Sequence, residues 1–355
     1  MIVNMKVAVI EVQRISQNIG RVLLKFKESG IFKIVYLFVV EILKGYKTYK
    51  KILLKYQDDS NHKILYMDYS GSGDTYLSCS YLSSIGEISG NDIFIAPSYL
   101  AAKIAGYYNF KNIEMIEGSC AFSVRKMERF YQSNILWKSL LYESDPLIYS
   151  GIMRHIQGYK GFDFMTLLKI GYEVNLGVEY TEKTWKQNLI LFNGRNSIFE
   201  KLKFPKGNTV LIAPYAGMNS LFGISFEFYC SITSKLKKLG FVVCTNSNGT
   251  CEDRPIPGTL PIFLPHEQMI RFCEDAGYFL GTRSGLCDIV SSAKLKKKII
   301  IYPDQKISQG VGKWIDFFSL NKMGLCDDAI EYNYNKNSEQ ALVNEIIETF
   351  IGCKL

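Results

Sequence analysis

Gly277-Tyr-Phe-Leu-Gly281-Thr282-Arg283-Ser284-Gly285-Leu286-Cys287-Asp288 reads as a short uncharged strand that turns through a polar loop into a helix. Five residues without charge, bounded by glycine, fit a buried strand better than a helix. Ser284-Gly285 opens a helix running to about Leu295, and the next strand, Lys298-Ile-Ile-Ile-Tyr302, stops at Pro303. Working outward, the same alternation repeats. Asn208-Thr-Val-Leu-Ile-Ala213 is a strand ended by Pro214, and Ser225–Leu239 is a helix punctuated by Gly240. Phe241–Thr245 and Leu260–Phe263 are strands, Pro265-His266-Glu267 opens a helix to Ala276, and Ser338–Ile351 is a last helix. Strand, loop and helix in regular succession predict a parallel sheet covered by helices.

A second such region lies upstream. Lys63–Asp68 is a short strand, Tyr69–Asp74 a glycine-rich turn, and Thr75–Ile85 a helix. Asn91–Ala96 is a strand, Pro97 begins a helix to about Tyr107, and Ile113–Ile116 is a third strand. Residues 119–190 show helical stretches and few strand signals. The class is therefore α/β, with two Rossmann-like β/α/β domains joined near residues 185–205. We place the first at 61–190, the second at 191–355, and a basic helical extension at 1–60.

Charge supports that division. The chain of 355 residues carries a formal +8. Residues 1–60 hold eleven Lys/Arg against five Asp/Glu, a net +6, so the body is close to neutral. A basic nucleic-acid groove through the body is thereby disfavoured. Lys44, Lys47, Lys51 and Lys55 share one helical face in Leu43–Tyr56, which suits either solvent or an anionic membrane surface. Gly20 and Ser29-Gly30 break the segment 1–57 into shorter helices. No secretory signal is visible. The longest apolar run, Ile34–Val40, reaches Ile31–Leu43 only by including Lys33 and Glu41, and even so is too short to span a bilayer. Nine scattered cysteines without a C-x-x-C pair read as reduced thiols, and three histidines give no metal signature. These features predict a cytoplasmic protein, peripheral on the inner face of the cell membrane if residues 1–57 engage it. Neither a metal nor a cofactor is expected.

Open parallel sheets bind ligands outside the carboxyl ends of their strands, which selects three loops. Gly71-Ser72-Gly73-Asp74 follows a strand and opens a helix. Its glycines permit close backbone approach. Asp74 serves either as a helix cap or as a general base. Arg283-Ser284-Gly285 presents free amides and a guanidinium, a fitting diphosphate site; Ser284 could equally be a simple cap. Tyr215, Asn219 and Ser220 in the loop 214–220 reach toward the same anion, and His266 stands at a neighbouring helix start, where a structural role competes with a functional one.

With these residues in view, the chain resembles the GT-B glycosyltransferases, in particular the bacterial heptosyltransferase group of glycosyltransferase family 9. Ile64–Asp74 matches that family's opening strand and G-x-G-D-type turn, and the resemblance makes Asp74 the catalytic base. Ser284 and Gly285 match its D-[ST]-G-x-x-H-L-A-type helix start, while Arg283 replaces the acidic residue and Asp288 the histidine. The resemblance implies two domains facing across a cleft. It also implies a nucleotide-sugar donor held by Arg283, Ser284, Gly285 and Asp288, and a hexosyl or heptosyl group passing to a hydroxyl of a cell-surface glycan, a lipid-linked glycan or a protein. Inversion without a metal is expected, since the chain has no Asp-x-Asp triplet and no glutamate between Glu274 and Glu331. A sugar-nucleotide epimerase of the same build and a non-catalytic partner subunit are the competing classes.

Overall fold

The computed structural model describes residues 31–56, 64–66, 71–84, 92–108, 110–116, 197–216, 221–251, 253–304 and 313–352. The expected breaks at Gly20 and Ser29-Gly30, the helical stretches within 119–190, and the site candidates Asn219 and Ser220 lie outside the described residues. The described residues belong to two compact units, the first containing 31–116 and the second 197–352.

In the first unit, β1 (Ile64–Tyr66), β2 (Ile93–Ala96) and β3 (Asn112–Met115) form a parallel sheet in that order. Ile64 pairs with Ile93, and Ile93 with Asn112. All four residues of β2 are buried, as a central strand covered on both faces requires. The connections are α2 (Ser72–Leu82) after β1 and α3 (Tyr99–Tyr107) after β2. Ser98 caps α3, its hydroxyl accepting from the Ala101 amide at 3.2 Å. Helix α2 is buried around its whole circumference from Thr75 to Leu82. Its sequence therefore shows no polar stripe, and Asp74 is its sole carboxylate.

The N-terminal helix α1 (Ile31–Lys55) is continuous, so the piece expected at Leu43–Tyr56 extends upstream through the apolar run. It is fixed to the first sheet at its C-terminal end. Tyr56 donates its hydroxyl to Glu114 Oε1 at 2.5 Å, and the Lys55 ammonium pairs with the same carboxylate. Gly45 and Ile52 are buried, whereas Tyr36, Val39, Leu43, Tyr46, Lys47, Lys50 and Leu54 are exposed. At 100° per residue, the exposed set gathers on one side and the buried pair on the other.

The second unit opens with α4 (Ser197–Leu202) and holds a six-stranded, wholly parallel sheet: β4 (Thr209–Ala213), β5 (Val242–Asn246), β6 (Leu260–Ile262), β7 (Gly277–Thr282), β8 (Lys297–Tyr302) and β9 (Ala329–Asn333). The spatial order is β6-β5-β4-β7-β8-β9, the doubly wound 3-2-1-4-5-6 arrangement. Four helices complete it: α5 (Phe226–Lys238), α6 (His266–Ala276), α7 (Gly285–Val290) and α9 (Glu339–Ile351), with the short α8 (Trp314–Phe318) between β8 and β9. Alternation along the strands assigns the faces. Val210, Ile212, Leu280, Ile299 and Ile301 pack with Phe228, Ile232 and Leu236 of α5 and with Val343, Ile346 and Phe350 of α9. Leu211, Phe279 and Ile300 fall on the other face and are fully buried. Helix α6 crosses that second face, contacting β4, β7 and α7.

Glycine is required where α6 ends. Gly277 has φ of 90°, and a Cβ there would lie 2.9 Å from the Gly207 Cα. Elements outside the sequence expectation include α4, α8 and β9. Strand β9 is an edge strand with mostly half-buried residues, so it lacks the continuous apolar run that marks its neighbours. Among the described residues, no helix is long and apolar enough to cross a membrane.

Candidate functional site

The strand order of the second unit reverses between β4 and β7. Connections from these adjacent strands depart to opposite faces, leaving a crevice at their carboxyl ends. Pro214 and Tyr215 follow β4, and Arg283, Ser284 and Gly285 follow β7. The two loops are joined directly: Thr282 donates its hydroxyl to the Pro214 carbonyl at 2.6 Å, and Tyr229 of α5 donates to that hydroxyl at 2.5 Å. Gly281 belongs to the same construction. A Cβ there would meet the Phe279 ring at 2.7 Å and Cys287 Sγ at 3.3 Å, so α7 approaches β7 only because the side chain is missing.

Arg283 is committed to neighbouring groups of the protein. The side chain is 4% exposed and its fork turns inward. Nη2 donates to Asp288 Oδ1 at 2.6 Å, Nη1 to Asp288 Oδ2 at 3.2 Å and to the Ser284 carbonyl at 2.6 Å, and Nε to the Phe318 carbonyl at 2.9 Å. Burial lowers the guanidinium's proton affinity, but the facing Asp288 carboxylate outweighs it and raises the net value. Arg283 and Asp288, both expected at the nucleotide, are bonded to one another in this structure. Each satisfies the other, and together they anchor the start of α7 to α8. A sequence motif locates the loop but not the rotamer of its arginine.

Ser284 and Gly285 are half-buried at the rim. Ser284 is the N-cap residue of α7 in extended conformation, yet its side chain makes no capping bond, so the simple capping reading does not hold. The Cys287 thiol is buried, and desolvation pushes it up to about 11, which keeps it protonated at neutral pH and unsuited to attack as thiolate. Tyr215 is half-buried and donates to the Arg254 carbonyl at 2.8 Å. His266 is the first residue of α6 and follows the edge strand β6, two strands from β4.

Sequence reasoning missed an aromatic row on the same rim. The Phe222 and Trp314 rings lie 5.0 Å apart, and those of Trp314 and Phe318 4.9 Å apart. Phe222 carries a positive φ of 50°, uncommon for a bulky side chain, which only tertiary packing imposes. The row links the loop after β4 to α8. It also missed Arg254, treated below.

In the first unit, the glycine-rich turn follows β1. Gly71 is the exposed N-cap residue of α2, and Asp74 occupies the third helical position rather than the cap itself. Its carboxylate folds back toward the turn: a Cβ on Gly71 would come within 2.6 Å of Asp74 Oδ2. The carboxylate occupies the space that a side chain at Gly71 would take. Thr75 secures the turn, donating from both its amide and its hydroxyl to the Gly71 carbonyl at 3.2 and 3.0 Å. Ser72 and Asp74 are half-buried and Gly73 is buried. The carboxylate thus sits in the first turn of a helix, where the dipole favours negative charge. Among the described residues, no cluster of His, Cys, Asp or Glu is arranged to hold a metal ion.

Comparison with known proteins gives a likeness of fold. No protein-family model and no curated protein matches the chain. Among solved structures, a glycosyl transferase family 9 protein from Veillonella parvula superposes with a TM-score of 0.50 at 10% identity, over 80% of this chain and 88% of that one. The E. coli heptosyltransferase WaaC with ADP gives a TM-score of 0.48 at 11% identity, over 81% of this chain and 98% of that one. The α/β fold of parallel sheets is that of the Veillonella parvula protein.

Proposed function

We propose that the chain is a glycosyltransferase that moves a sugar from a nucleotide-sugar donor to a hydroxyl acceptor. The observation that supports it most is the switch-point crevice of the second unit, whose rim residues Ser284 and Gly285 match the family motif and leave the Ser284 side chain uncommitted to capping. The fold shared with a glycosyl transferase family 9 structure adds to it. In this reading the donor's diphosphate lies over the crevice against the backbone at Ser284 and Gly285, with Tyr215 on the β4 side. Arg283 and Asp288 act as positioning residues, holding that backbone in place without reorganisation as the leaving group gains charge.

Asp74 takes the acceptor's proton. It is a half-exposed carboxylate, already placed against a glycine turn. Direct displacement by the deprotonated hydroxyl inverts the anomeric carbon, and the departing group is the nucleoside diphosphate. No metal is assigned a step.

Helix α1 supplies the membrane contact in this reading. Tyr36, Val39, Leu43, Tyr46 and Leu54 form an exposed apolar stripe that includes Lys50 and is bordered on one side by Lys47 and Lys51. Apolar burial plus attraction of ~1 kcal/mol per basic residue suits an anionic bilayer surface. A lipid-linked acceptor would then meet an enzyme peripheral on the inner face of the membrane.

The test is a thermal-shift series with UDP, GDP, ADP, CDP and dTDP, followed by product analysis of the matching sugar nucleotides with and without acceptor. One nucleotide at 100 times its Kd should add about 2.7 kcal/mol of stability. Consumption of the sugar nucleotide without any acceptor would favour the epimerase, and no binding of any nucleotide would remove the enzymatic reading.

A further inference from the structure

Arg283 being turned inward, the second unit's crevice lacks the cation that the sequence appeared to supply. Arg254 stands on the same rim. It follows β5, the strand adjacent to β4, and is exposed. Its guanidinium lies over the Phe226 ring, 4.2 Å from carbon to centroid. Among the described residues, no carboxylate pairs with it. Its carbonyl accepts from Tyr215 of the loop after β4, and that loop is bonded in turn to Thr282 through Pro214. Arg254, Tyr215, Pro214, Thr282 and Ser284 therefore follow one another along a single rim.

The loop bearing Arg254 is held on both sides. Asp253 Oδ2 accepts from the Asn248 amide at 2.8 Å, and the Asp253 amide donates to Thr250 Oγ1 at 3.2 Å. Beyond Arg254, the Ile256 amide donates to Thr245 Oγ1 at 3.1 Å. The backbone is thus fixed before any ligand arrives, and the Phe226 face and the Tyr215 hydroxyl restrict the exposed side chain. A preorganised, exposed guanidinium fork is the geometry that a phosphate recognises, and less ordering entropy remains to be lost on binding.

Resting on the proposed nucleotide-sugar reading, we infer that Arg254 is the cation that receives the donor's diphosphate. The negative oxygens are shared between its fork and the backbone at Ser284 and Gly285. The residue that recognises the nucleotide's charge thus comes from the β5 loop and not from the motif loop after β7.

Calorimetric titration of the nucleoside diphosphate selected by the thermal-shift series, and of its parent nucleoside, decides the matter. The proteins are the full chain, Arg254→Ala, Arg254→Lys, and Lys238→Ala as a control for loss of one exposed charge. Arg254→Ala should bind the diphosphate about 10- to 100-fold more weakly, leave nucleoside affinity within about twofold, and reduce the salt dependence of binding. Arg254→Lys should recover part of the loss, and Lys238→Ala should match the parent. Melting temperatures equal to the parent exclude unfolding. Unchanged diphosphate affinity in Arg254→Ala would overturn the assignment while leaving the glycosyltransferase reading in place. Equal loss of nucleoside and diphosphate would overturn it too, assigning Arg254 to the loop's shape. A parent chain that binds no diphosphate would remove both.

Discussion

Arg283 and Asp288 are each other's partners: a bidentate pair with Nη2 2.6 Å from Oδ1, both side chains 4% exposed. These are two of the positions where the chain departs from the heptosyltransferase motif, Ile289 and Val290 being the others. The departures at Arg283 and Asp288 form one interaction, a cation where an acid is expected and an acid where a histidine is expected. Removing one partner strands a buried charge, which costs about 3–5 kcal/mol. Asp288→Ala should therefore lower the chemical-denaturation stability by that order. Arg283→Met with Asp288→Leu should recover most of it, because no charge is then left buried. Equal losses in the single and double variants would refute the coupling.

Asp74→Asn keeps the size of the side chain and removes its basicity. Transfer should fall by about 100-fold or more, the usual contribution of a general base, while nucleoside diphosphate affinity stays at the parent value. Transfer at the parent rate would assign the carboxylate to helix capping alone. Gly71→Ala offers a second approach, since the added methyl would have to displace Asp74 Oδ2 from 2.6 Å.

The exposed face of α1 can be tested without any substrate. The full chain should float with vesicles containing anionic lipid and stay behind with neutral ones. Leu43→Asp and Lys47→Glu together should abolish flotation and leave nucleotide binding intact. Both residues are exposed, so the fold should tolerate the change. Binding that survives this pair would place the contact elsewhere.

Much of the second unit was legible because its central strands are buried on both faces. Val210–Ala213 and Ile299–Tyr302 are apolar throughout, and glycine marks the turns at Gly240 and Gly277. Strand β9 escaped because only one of its five residues, Ala329, is fully buried. Asp74 was placed at the right turn because glycine and aspartate have strong local preferences. Its closeness to Gly71 was not readable, since it depends on a rotamer. The same limit explains Arg283 and Arg254. Both lie after strands in plain sight, but which guanidinium is spent on a neighbour follows from packing against Phe318 and Phe226, far away in the chain.

The bond from Thr282 to Pro214 closes over 68 residues. In a parallel sheet no hairpin can form that seam early; β5, β6 and α6 all lie between its two strands in the chain. Loop-closure entropy makes such pairings slow. The crevice therefore does not exist in a half-folded chain. Ligand capture during refolding would thus time the joining of β4 to β7.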